Sequence, residues 1–163
     1  MKVKKVSSWI LIAFAAVFTL IGVSACKGDG LEFDEDGNLI SDEWKNEIPS
    51  GKTILAFDLS GTYSFAADSA SNLAVKSWTD VYCYVWGGTI GDNGWGAWPG
   101  VELSGRCESN PKIFYYLVPE GKEGSGTFKF NTKTGEGAAL EAMDITISSG
   151  KRYLVRGSRV SEF

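Results

Sequence analysis

Enzymatic chemistry usually starts from a base, and this sequence lacks the commonest one, because it contains no histidine. Without histidine no serine can be activated through a Ser-His-Asp arrangement. The commonest zinc ligand is missing too. The three cysteines, Cys26, Cys83 and Cys107, make a poor metal set by themselves. Asp and Glu together number 20. A glycosidase needs two carboxylates at a fixed separation, and no such pair can be picked from this scatter of acids. One run imitates a metal loop, Asp34-Glu35-Asp36-Gly37-Asn38. An EF-hand places glycine sixth and glutamate twelfth, whereas here Gly37 is fourth and Lys45 twelfth, so the run reads as a polar turn. The expectation is a protein that is not an enzyme and uses neither metal nor cofactor.

Aromatic rings are the other side chains able to recognise a ligand, and two neighbouring stretches concentrate them. The first is Val81-Tyr82-Cys83-Tyr84-Val85-Trp86, and the second is Trp95-Gly96-Ala97-Trp98-Pro99-Gly100. Successive side chains alternate across a strand. A strand here therefore turns Tyr82, Tyr84 and Trp86 to one face and Val81, Cys83 and Val85 to the other. Rings of this kind present flat apolar surfaces with a polar handle at the edge. Sugars present the complement, C–H groups on a face and hydroxyls around the rim. A small β domain also needs Trp and Tyr in its core, so core and platform are both open readings. The valines and Cys83 already supply an apolar inner face. That leaves the larger rings free to face outward, where an apolar patch asks for a ligand.

The elements that must hold these rings read as short strands. Residues 53–58, 62–65, 113–118, 127–130, 143–147 and 152–155 alternate or run apolar between turn residues. Residues 66–75 fit a short helix or a loop equally well. Twenty glycines, 13% aromatics and no helical repeat suit an all-β fold, here an antiparallel β-sandwich over residues 52–163. Cys83 and Cys107 allow either a disulfide bracing the aromatic cluster or, for Cys83, a buried free thiol.

Ahead of this domain lie two different segments. Residues 1–25 begin with Lys2-Val3-Lys4-Lys5 and continue in an apolar run to Val23, which is the pattern of a secretory signal. Val23-Ser24-Ala25-Cys26 resembles a bacterial lipobox. That resemblance implies cleavage before Cys26 and lipidation of its thiol, so that acyl (palmitate-type) chains anchor the lipoprotein at a membrane. The anchored domain would face the periplasm or the cell surface. Residues 26–51 then form the lipidated cysteine and an acidic, flexible tether. The net charge of −4 includes Lys2, Lys4 and Lys5, so the rest is more acidic still. Nucleic acid is excluded as a partner, since phosphate contacts need clustered Lys and Arg.

Trp78-Thr79-Asp80-Val81-Tyr82-Cys83-Tyr84-Val85-Trp86, followed by Ala97-Trp98-Pro99-Gly100-Val101-Glu102-Leu103, resembles carbohydrate-binding module family 26, the starch-binding modules. The likeness continues in order through residues 112–118, Phe128-Lys129-Phe130-Asn131 and Glu141-Ala142-Met143-Asp144-Ile145. It implies an immunoglobulin-like β-sandwich that binds malto-oligosaccharide without catalysis. It also implies a platform of Tyr82, Tyr84 and Trp98. Trp95 and Trp86 are candidates to extend that platform, and Glu141 stands where the family favours glutamine. The resulting expectation is a lipid-anchored protein that captures starch or maltodextrin for a separate amylase or maltodextrin transporter. The alternative is an envelope lipoprotein or adhesin that binds a protein partner and uses its aromatics mainly as core.

Overall fold

The computed structural model of the chain describes residues 41–63, 73–135 and 140–163. The signal segment, Cys26 and the first part of the tether lie outside the described residues, as do Ser64 and Phe65 of one expected strand. The described elements are α1 (Trp44–Glu47), β1 (Ile54–Asp58), α2 (Leu73–Lys76), β2 (Tyr82–Trp86), β3 (Val101–Glu102), β4 (Gly105–Arg106), β5 (Ile113–Leu117), β6 (Gly124–Asn131), β7 (Met143–Ile147), β8 (Arg152–Arg156) and β9 (Arg159–Glu162).

Hydrogen bonding sorts the strands into two sheets. One has the order β4-β5-β1-β8-β9 and the other β3-β2-β6-β7. All pairs are antiparallel except β1 with β8, which run parallel. The expected all-β sandwich is therefore present, with one parallel pair at the centre of the first sheet. Between the sheets lie Leu55 and Phe57 of β1, Val81, Cys83 and Val85 around β2, Phe128 and Phe130 of β6, and Ile145 and Ile147 of β7. Phe57 is the hinge of this packing, its ring 4.2 Å from Phe130 and 4.7 Å from Tyr63.

The first sheet is covered on its outer side as well. Ile54, Ala56, Ile113 and Leu154 point away from the inter-sheet core and pack under Trp44, Ile48 and Phe163. This double coverage explains why every residue of β1 is buried, and why its sequence is an apolar run rather than an alternation. At its end Asp58 is fully buried and accepts a hydrogen bond from Arg156 Nε at 2.6 Å. Asp58 also accepts from the backbone and hydroxyl of Ser60, so the buried charge is paired and satisfied.

One expectation changes here, and one open alternative closes. Residues 41–51 are not free tether: Trp44 and Ile48 are buried, and the segment closes one face of the sandwich. Cys83 and Cys107 are free thiols. Cys83 lies between the sheets, whereas Cys107 lies in the second cluster beneath Trp44, so the first sheet's layer separates them.

Candidate functional site

The outer face of the second sheet has no such cover among the described residues. β2 alternates half-buried and buried, with Tyr82, Tyr84 and Trp86 on the solvent side and Cys83 and Val85 beneath. The register sets β6 residues beside them: Asn131 by Tyr82, Lys129 by Tyr84 and Thr127 by Trp86. On the other side Glu102 of β3 stands next to Tyr82, and beyond Thr127 comes Asp144 of β7. The result is a row of rings flanked on both sides by polar groups.

The rings meet at defined angles. Tyr84 and Trp86 lie 5.5 Å apart at 24°, nearly coplanar in direction. Trp98 stands 5.6 Å from Tyr84 at 71°, forming a wall against that floor. Trp98 is 47% exposed, an unusual waste of apolar surface for a tryptophan with no other role. Its turn is held from below. The fully buried Asn131 donates from Nδ2 to the Pro99 carbonyl at 3.0 Å. Gly100 takes a positive φ of 99° where an added Cβ would strike the Cys83 carbonyl, so only glycine lets the turn approach β2 so closely.

Polar partners fix the tyrosines. The Tyr84 hydroxyl donates to Asn93 Oδ1 at 3.0 Å, and the Tyr82 hydroxyl donates to Glu102 Oε2 at 3.3 Å. Desolvation, reinforced by the Glu102 carboxylate, pushes the Tyr82 phenol above its ordinary value, so it stays a donor at neutral pH. Thr127 Oγ1 donates to Asp144 Oδ1 at 2.7 Å across the strands. A floor of rings, a perpendicular wall and a rim of hydroxyl, amide, carboxylate and ammonium groups can grip a polyhydroxylated ring by face and edge.

The structure brings Tyr82, Tyr84, Trp86 and Trp98 together on this face and removes two other expected members. Trp95 is only 5% exposed. It packs edge-on against Phe128 and beside Tyr116, and its Nε1 donates to the Lys122 carbonyl at 2.9 Å. It anchors the 87–96 loop from beneath and cannot offer a ring to solvent. Glu141 is exposed but lines a cleft with Tyr63, Phe130, Met143, Gly157 and Ser158. It precedes the far edge strand β7, and the cleft it lines includes the core ring Phe130 and none of the platform rings. The sequence reading missed Asn93, Glu102 and Lys129. Strand alternation with Tyr84 across β6 could have found Lys129, but a partner inside a glycine-rich loop leaves no periodic signal. No family model, curated protein or solved structure matches the chain.

Proposed function

We propose that the outer face of the second sheet binds an α-linked glucan, such as starch or maltodextrin, without transforming it. One observation carries the reading: the exposed Trp98 ring meets the Tyr84–Trp86 floor at a steep angle, 71° to Tyr84. A flat β-linked glucan would be met by coplanar rings, whereas an α-linked chain curves and presents successive sugar faces at an angle. The resemblance to family 26 starch-binding modules supports the same ligand class. In this reading the domain is held at a membrane by lipid on Cys26 and concentrates glucan for separate enzymes or transporters.

Affinity electrophoresis in soluble starch tests the ligand. Retarded migration is expected for the wild-type chain, with cellulose derivatives causing none. Trp98→Ala and Tyr84→Ala should each weaken binding roughly 30-fold, the scale of a central aromatic contact. Equal migration with and without starch would end the proposal. Anchoring is tested separately: a fatty-acid probe should label the protein, and Cys26→Ser should abolish the label.

A further inference from the structure

We infer that Asn93 is the specificity residue of this face, its carboxamide reading a pair of neighbouring ring hydroxyls on the sugar stacked against Tyr84. The inference rests on the carbohydrate reading and adds the group that selects the ligand.

Asn93 is held as a bracket. It is the described non-glycine residue with a positive φ, 55°, a conformation asparagine tolerates better than most side chains. Its carbonyl accepts from Gly96 N at 2.8 Å. Its neighbour Asp92 accepts from Gly87 N at 3.1 Å, and Trp95 two residues on is buried and hydrogen-bonded through Nε1. The loop is thus tied at its start, middle and end, and the exposed carboxamide is set beside a platform ring.

The hydrogen bond at 3.0 Å then distributes donors and acceptors. The Tyr84 proton is committed to Asn93 Oδ1, so the phenolic oxygen is left with acceptor capacity toward solvent. Asn93 Nδ2 keeps two N–H donors, with no protein partner among the described residues. Side by side at the ring edge stand an acceptor and a donor. Two adjacent hydroxyls on one pyranose match this pair: one accepts from Nδ2 while the other donates to the Tyr84 oxygen. An apolar ring could still stack on Tyr84 but would leave both groups unmet, and an O-methylated ring would lose the donor to the Tyr84 oxygen while its methyl groups crowd the carboxamide, which costs affinity.

Titration calorimetry of the full chain tests this with two ligands, β-cyclodextrin and its per-2,3-O-methylated form, which lacks those hydroxyls. Asn93→Asp keeps the acceptor for Tyr84 and tolerates the backbone but loses both donors. Asn93→Gly relaxes the backbone and loses the whole bracket. Each variant should bind β-cyclodextrin about tenfold more weakly, the scale of one or two neutral hydrogen bonds. The methylated ligand should bind the wild type about as weakly, and Asn93→Asp should weaken it no further. Unchanged binding in both variants, or equal losses for both ligands, overturns the role of Asn93 while leaving the carbohydrate reading standing. A wild-type chain that binds neither β-cyclodextrin nor maltoheptaose overturns both.

Discussion

Trp86 and Trp95 show how one residue type serves two purposes on one stretch of chain. Trp86 stands on the solvent side of β2 and rests against Tyr84. Trp95 is wedged between Tyr116 and Phe128 with its N–H satisfied. Their substitution to alanine should therefore split cleanly. Trp95→Ala opens a large cavity and should lower stability by about 3–5 kcal/mol. Trp86→Ala removes one stacked pair at a half-exposed site and should cost about 1 kcal/mol. Glucan binding should respond in the opposite order, with Trp86→Ala the weaker binder among folded variants. Urea unfolding and starch retardation measured on the same two proteins check both halves. A Trp86→Ala protein that binds normally but unfolds early would reverse the assignment.

At the scale of elements, the segment around α1 changes the picture most. In sequence, residues 41–51 look like a continuation of an acidic spacer, because Ser41-Asp42-Glu43-Trp44-Lys45-Asn46-Glu47 holds one large apolar side chain among polar ones. That side chain is the one that matters. Trp44 packs 4.9 Å from Phe163, Arg152 Nη1 donates to the Lys45 carbonyl at 3.2 Å, and Glu47 accepts from the backbone of Glu108 and Ser109. Composition averages such a residue away; only a partner surface reveals it. The same logic sorts what was legible elsewhere. β2, β5 and β7 were readable because five-residue strands give an alternation or apolar run to see. β3 and β4, with two residues each, and the fully exposed β9 carry no such pattern. Trp98 and Trp95, three residues apart in a glycine-rich loop, could not be told apart without the turn that separates them. Trp44→Ala should lower stability by about 3 kcal/mol and uncover Cys107, whose thiol burial and the Glu47 carboxylate push up to about 11. In a Cys26→Ser background, a thiol reagent at pH 8 should modify the native protein slowly and the Trp44→Ala variant much faster at Cys107. Cys83, held above its ordinary value by full desolvation between the sheets, should remain slow in both. Equal rates at Cys107 would mean that α1 does not shield it.

Over the whole molecule, the two ends of the sandwich are fastened by carboxylates, and this sets its response to acid. Glu47 ties α1 to the turn before β5: hydrogen bonds from the Ser109 side chain, then from the Ser109 and Glu108 backbones, hold its carboxyl below the usual range. Glu123 does the same at another turn, lowered first by its own backbone N–H and then by that of Gly121, with Ser149 and Thr53 adding to it. A carboxyl with a depressed value in the folded state stabilises the fold wherever the unfolded chain would already be ionised. That contribution is complete above about pH 4.5, the ordinary value for such a group, and disappears as the pH falls through the lower folded values. With no histidine in the chain, little else titrates between pH 6 and 8. The melting temperature should therefore be flat from pH 8 to 6 and fall steeply below pH 4.5. The double variant Glu47→Gln/Glu123→Gln should melt lower than wild type at pH 7, and the gap should close as the pH approaches 3. A gap that stays constant down to pH 3 would show that these two carboxylates act through their shape and not their charge, and that the acid response belongs to other groups.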